Sequence, residues 1–236
     1  MADEKGVYVA DWGGNLYRIG FGDGGVLARL STGDVVDAAP TLTPPGEKPL
    51  VAAQNWARKL FLLDRETLAV KDVHTDEPGP ADDHRQSSPI FSGGKLIVGT
   101  WSGKIEAYDT AGGKLSKLWT LDAGSPIRAG LATDGKAIFA ASSGGLLLAL
   151  NNTGEELWRK DFGDPLLSTP LLNGELLLVG TRGGSLYALE TATGGEKWRA
   201  KLCGAAWYAP AETDGGLYYQ GVQNAHLLFK HPGRAG

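Results

Sequence analysis

The chain has 236 residues with a formal net charge of -4, and its 23 Lys and Arg residues are scattered singly. No basic stripe exists to neutralise a phosphate backbone, so nucleic acid is excluded as an expected partner. The longest apolar runs, such as Leu146 to Leu150, fall far short of the roughly 20 residues needed to cross a bilayer as a helix, and the single cysteine, Cys203, permits neither an internal disulfide nor a cysteine-rich zinc site.

The opening residues MADEKG carry no charged segment followed by an apolar stretch of the kind that directs export, and they lead straight into an apolar run. Six copies of one pattern then follow: VYVADWGGNLYRIG from Val7, VAAQNWARKLFLLD from Val51, LIVGTWSGKIEAYD from Leu96, IFAASSGGLLLALN from Ile138, LLVGTRGGSLYALE from Leu177 and LYYQGVQNAHLLFK from Leu217. Their spacings of 44, 45, 42, 39 and 40 residues mark a repeat in which one supersecondary unit cannot bury its own apolar face, so the copies must stack. Each copy is two apolar runs around a Gly-rich turn, which reads as a β-hairpin. A further turn leads to a short strand carrying tryptophan in three copies, Trp119, Trp158 and Trp198. A fourth short strand precedes the next hairpin, at 38–42, 87–91, 128–132, 168–172 and 208–212, with proline near its start in four of the five. Helical period is absent throughout.

Four short antiparallel strands in about 40 residues are the signature of a β-propeller blade. Where Thr-Gly turns and tryptophans on the strand after the hairpin occur together, as in LLVGTRGGSLYALETATGGEKW at 177–198, the sequence resembles the PQQ-like (quinoprotein) repeat. The likeness is strongest over residues 88–200 and looser in the copies at 51 and 217. The resemblance implies an all-β fold and a seam role for Trp119, Trp158 and Trp198, each docking on the neighbouring blade; the first two copies lack such a residue, so their seams are expected to be looser or differently filled. Strand counting gives a single domain over residues 1–236 with about six four-stranded antiparallel blades, the first and last incomplete. A five-blade ring with a surplus hairpin and a fragment of a larger ring are the competing readings, since related propellers commonly have eight blades.

Four tryptophans are left over. Trp12, Trp56 and Trp101 occupy one equivalent turn inside the hairpin, where the copy at 177 has Arg182. In a propeller these turns share a face with the connections between blades, which contribute His84, Arg85, Arg128, Trp207 and Tyr208, and Arg58 lies in the same turn as Trp56. Tryptophan, tyrosine and arginine dominate binding hot spots because they combine large rigid area with a polar handle. These ten residues, Trp12, Trp56, Arg58, His84, Arg85, Trp101, Arg128, Arg182, Trp207 and Tyr208, are the expected binding site for a protein, peptide or small ligand. Removing Trp56 and Trp101 together is expected to abolish capture with little change in melting temperature. The connecting stretch 75–86, rich in acidic residues, reads as a solvated loop.

No catalytic or metal-ligating constellation is found: neither a Gly-x-Ser-x-Gly elbow, a phosphate-binding loop nor a His-Glu-x-x-His motif appears. Quinoprotein dehydrogenases of the resembled family hold their quinone beneath a vicinal disulfide, which a lone Cys203 cannot make. The expected function is therefore a non-catalytic binding scaffold without cofactor. The alternative is a quinoprotein-like domain binding PQQ with calcium, or a sugar, with a residual oxidoreductase role. Partners implied by the resemblance are proteins or peptides, with a periplasmic or secreted location; self-association through incomplete ring edges is a further expectation.

Overall fold

The computed structural model describes residues 1–78, 87–202, 204–207, 211–213, 216–220 and 226–229. They form six separate antiparallel sheets. Blade 1 holds β1 (Gly6–Ala10), β2 (Asn15–Gly20) and β3 (Val26–Ser31), and blade 2 holds β4 (Thr41–Leu42), β5 (Leu50–Gln54), β6 (Lys59–Asp64) and β7 (Val70–Thr75). Blade 3 holds β8 (Ile90–Ser92), β9 (Lys95–Gly99), β10 (Lys104–Asp109) and β11 (Ser116–Asp122), and blade 4 holds β12 (Ala132–Thr133), β13 (Ala137–Ala141), β14 (Leu146–Asn151) and β15 (Glu156–Asp161). Blade 5 holds β16 (Leu171–Asn173), β17 (Leu176–Gly180), β18 (Ser185–Glu190) and β19 (Glu196–Lys201), and blade 6 holds β20 (Ala211–Thr213), β21 (Gly216–Gln220) and β22 (His226–Phe229). Within each blade every strand pairs with its sequence neighbour. The expected architecture, four-stranded blades with three-stranded first and last sheets, is the observed one.

The innermost strands are shorter than the sequence suggested. The expected strand at 38–42 pairs only over Thr41 and Leu42, that at 87–91 starts at Ile90, and that at 168–172 starts at Leu171. In each case the strand begins one residue after a proline, Pro40, Pro89 or Pro170, which has no N–H to offer the ladder. The strand expected at 128–132 starts only at Ala132.

Core residues explain why the central strands read as continuous apolar runs. In β5 every residue is buried, because Val51 and Ala53 pack with Tyr8 and Leu16 of blade 1 while Leu50 and Ala52 pack with Leu96, Val98 and Tyr108 of blade 3. Side chains alternate across a strand, so a blade with neighbours on both sides needs apolar residues at both parities. The same arrangement joins blade 3 to blade 4 around Ile105 and Leu148, and blade 4 to blade 5 around Phe139 and Val179. In blade 1 the side of the sheet away from blade 2 carries exposed Val9, whose counterpart Ala53 in blade 2 is fully buried.

The seams are closed by complementary pairs. Trp119 donates its indole N–H to the Asn152 carbonyl of blade 4 at 3.3 Å, and Trp158 donates to the Thr191 carbonyl of blade 5 at 2.9 Å. Each ring lies over a glycine of the receiving turn: a Cβ on Gly154 would stand 2.7 Å from the Trp119 ring, and one on Gly194 would stand 2.7 Å from the Trp158 ring. Strand register places Asp72 of blade 2 and Ala28 of blade 1 at the position of these tryptophans. Asp72 accepts the Leu115 N–H of blade 3 at 2.7 Å, a polar clasp in place of an aromatic one. At the first seam small Ala28 meets a receiving turn whose glycine is replaced by buried Leu68, in the same apolar cluster. These seams are differently filled, not looser. Trp198 is 38 % exposed, and the turn that would receive it lies outside the described residues.

Candidate functional site

In blades 1 to 5 the turn joining the second and third strand positions (β1 to β2, β5 to β6, β9 to β10, β13 to β14, β17 to β18) opens on a residue that caps it. Asp11 Oδ1 accepts the Asn15 N–H at 2.8 Å, Asn55 Oδ1 accepts that of Lys59 at 3.1 Å, and Thr100 Oγ1 accepts that of Lys104 at 2.9 Å. Ser142 and Thr181 do the same for Leu146 and Ser185. Such local side-chain bonds are what make Asp, Asn, Ser and Thr turn formers. The Asp11 carboxyl is held below its ordinary range chiefly by the Asn15 N–H, with the Asn15 and Tyr17 side chains adding to it and desolvation opposing.

The next residue stands at the apex: Trp12, Trp56, Trp101, Ser143 or Arg182. Two residues later the backbone turns left-handed, with φ of 77° at Gly14, 86° at Gly103, 94° at Gly145 and 79° at Gly184. In blade 2 this place is taken by Arg58, at φ 60°. A side chain there is strained by about 1 kcal/mol relative to glycine. Arg58 is held by reciprocal contacts with the following connection: the Asp76 N–H donates to its carbonyl at 2.9 Å, and its Nε donates to the Asp76 carbonyl at 3.3 Å. Burial pushes the Asp76 carboxyl above its ordinary range, the charge of Glu106 adds to this, and the hydrogen bond from Ser102 opposes it.

Three of the connections between blades are stitched to the turns at both ends, and that from blade 5 at its near end. Val36, Ile127, Leu166 and Ala206 donate their N–H groups back to Asp11, Thr100, Ser142 and Thr181 of the blade just left, at 3.4, 3.1, 3.2 and 3.1 Å. The apex residues Trp56, Ser143 and Arg182 of the next blade in turn donate to the carbonyls of Val35, Pro126 and Pro165, each at 2.9 Å. Among the described residues, turns and connections therefore share a rim from blade 1 to blade 2 and from blade 3 to blade 5. Directly after each buried anchor the chain presents Asp37, Arg128, Leu167 or Trp207 to this rim.

Trp12 is 72 % exposed and meets Trp56 edge-on, ring centroids 5.6 Å apart and planes at 63°. Trp56 is half-buried, so the pair offers one open indole on a partly buried support. Trp101 was expected as a contact residue, but it is only 2 % exposed, with the Arg128 guanidinium 4.6 Å above its ring. It supports Arg128 and has almost no surface of its own to offer. Arg182 is exposed, and Arg58, Arg128 and Trp207 are half-buried. His84, Arg85 and Tyr208 lie outside the described residues. Asp37 and Leu167 were missed by the sequence reading; aligning the connections on Val36, Ile127 and Leu166 places them at the same position as Arg128 and Trp207.

Residues 116–206 match the family model described as outer membrane protein assembly factor BamB. No curated protein sequence matches the chain. Among solved structures, BamB from Moraxella catarrhalis superimposes with a TM-score of 0.79 at 19 % identity, covering 97 % of this chain and 68 % of that one. The computationally designed protein Ika8 superimposes with the same TM-score of 0.79 at 12 % identity, covering 98 % of this chain and 70 % of the design. A natural and a designed protein thus share the architecture at identities too low to carry function with it. No helix among the described residues is long and apolar enough to cross a membrane. Stacked antiparallel sheets and tryptophan-over-glycine seams give the chain a β-propeller fold like that of these structures, and over residues 116–206 its sequence is similar to the BamB family model.

Proposed function

We propose that the chain is a non-catalytic docking scaffold that captures a protein or peptide partner on the rim formed by the hairpin turns and the connections between blades. The observation that carries this reading is the Trp12–Trp56 pair, an open indole braced edge-on by a second one and flanked by an arginine at a left-handed position. Hot spots have this make-up, a rigid aromatic with a cation beside it. Backbone strain retained at Arg58 supports the same reading, since a turn selected for stability alone takes glycine. The family description names an assembly factor of outer membrane proteins, which supports a scaffold role and a periplasmic or secreted location.

Photo-crosslinkers placed at Trp12 and, as a control, at Thr67 on the opposite end of the blades test it. A partner captured from the source cells at Trp12 but not at Thr67, whose affinity for the purified chain falls on Trp12→Ala, supports the reading; equal capture at both positions overturns it. The scaffold takes no cofactor in this proposal. Titration with PQQ and calcium is expected to leave tryptophan emission unchanged, and saturable quenching would favour a quinoprotein-like role.

A further inference from the structure

At the other end of the strands, between blades 1 and 2, lies a pocket of about 520 Å³ bounded by residues 1–5, by the turn after β4 and by Arg65 and Glu66. That volume suits a small ligand. Its walls are largely apolar, with Leu42, Pro44, Pro45 and Pro49 along one side.

Of the two arginines lining it, only one meets a carboxylate among the described residues. Arg18, only 5 % exposed, donates from Nη2 to Asp3 Oδ2 and from Nη1 to the Glu66 carbonyl, both at 3.3 Å. Asp3 is fully engaged already, accepting from the Tyr8 hydroxyl at 2.8 Å and from the Lys5 and Gly6 N–H groups at 2.9 and 3.0 Å. Arg65 donates from Nη2 to the Thr43 carbonyl at 2.6 Å and meets no carboxylate among the described residues. The Nε groups of Arg18 and Arg65 are buried without a hydrogen-bond acceptor among those residues. The Lys5–Glu66 pair at 3.1 Å is solvent-exposed on both sides and contributes little field. Arg18 takes the one inward carboxylate, Asp3, which leaves half-buried Arg65 as a positive charge without a carboxylate partner among the described residues, its Nε buried. Such a charge is costly unless an anion offsets it.

We propose that this pocket binds a monocarboxylate with an apolar body, the carboxylate seated on the terminal nitrogens of Arg65 and the hydrocarbon against the proline wall. Guanidinium recognises carboxylate through a planar, two-pronged geometry. Glu4 and Glu66 at the mouth disfavour a dianion such as phosphate. A free small acid and the C-terminal carboxylate of a peptide offer the same chemistry.

Calorimetric titration of the whole chain with hexanoate, hexanamide, inorganic phosphate, and a short peptide ending in leucine as its acid and as its amide tests the proposal. Hexanoate or the peptide acid is expected to bind, the two amides and phosphate to give no heat, and Arg65→Met to weaken binding by about tenfold or more. Binding of hexanoate alone identifies a small acid as the source, and binding of the peptide acid alone identifies a chain terminus. Arg65→Lys, which keeps the charge but loses the planar fork, is expected to fall between; it carries the test if circular dichroism shows that Arg65→Met does not fold. No heat from either acid at millimolar concentration, unchanged affinity in the folded arginine variants, or equal binding of phosphate overturns the proposal.

Discussion

The Arg128 guanidinium lies 4.6 Å above the Trp101 ring, so one connection between blades roofs the apex of the turn that precedes it. This contact separates two roles that a shared turn position suggests are one. Trp12 is open at the rim, whereas Trp101 is a buried platform. Trp101→Ala is expected to destabilise the chain by about 3 kcal/mol, as loss of a buried aromatic does, while Trp12→Ala leaves chemical denaturation midpoints within about 0.5 kcal/mol of the parent. The combined Trp56 and Trp101 variant would therefore confuse folding with capture. Urea titrations of the single variants check this, and equal stability losses at the two positions would refute it.

The blade seams hold a second expectation. Gly154 and Gly194 sit at positive φ beneath Trp119 and Trp158, whereas Leu68 holds the matching place beside Ala28. In these seams a large side chain of one blade meets a small residue of the next, with the large partner on opposite sides in the two cases. Gly154→Ala is expected to cost about 1 to 3 kcal/mol through overpacking and backbone strain together. Leu68→Ala is expected to cost about 2 kcal/mol or more through the cavity it leaves, since the replacement keeps the left-handed strain. Thermal denaturation of both variants measures this. A neutral Gly154→Ala would mean that the Trp119 ring is not seated on the turn.

Much of this architecture was legible because the first five blades repeat nearly the same instructions: a capping Asp, Asn, Ser or Thr, a glycine two residues past the apex in four of them, and apolar runs in the central strands. What escaped the reading depended on contacts between copies. The repeat shows Trp12, Trp56 and Trp101 as equivalents, but only the packing of Arg128 on one of them decides which is covered. Likewise the absence of a tryptophan in the first two copies left looser and differently filled seams both open, because Ala28 with Leu68 and Asp72 with the Leu115 N–H become partners only once the blades are side by side. Three of the innermost strands were read too long because the extended pattern continues past the prolines that cut the ladder.

Arg58 offers a test of strain kept for function. At φ 60° it occupies a place that glycine fills in four other blades. Arg58→Gly is expected to leave stability unchanged or to raise it by up to about 1 kcal/mol, because relief of the left-handed strain offsets the lost bond to Asp76. Capture of a partner identified by crosslinking at Trp12 is expected to weaken several-fold in the same variant. Denaturation midpoints together with binding titrations decide the matter; a variant that is both less stable and fully competent would assign Arg58 a purely structural role.

The Asp3–Tyr8 pair predicts sensitivity at both ends of the pH scale. Burial alone would raise the Asp3 carboxyl, but hydrogen bonds from Tyr8 and from the Lys5 and Gly6 N–H groups, together with the Arg18 charge, bring it below its ordinary value. A carboxyl depressed on folding contributes stability above its unfolded pKa near 4, and that contribution is lost as pH falls through the folded value. Burial first, and then the hydrogen bond to Asp3, raises the Tyr8 hydroxyl far above its ordinary value. The sign is opposite: the contribution is complete below about pH 10 and fades as pH rises beyond it. Asp3→Asn is expected to flatten the acid limb of a stability–pH profile and Tyr8→Phe the alkaline limb, each leaving the other limb largely in place. Urea midpoints measured across the pH range read both slopes, and an acid limb unchanged in Asp3→Asn would show that other carboxylates dominate acid unfolding.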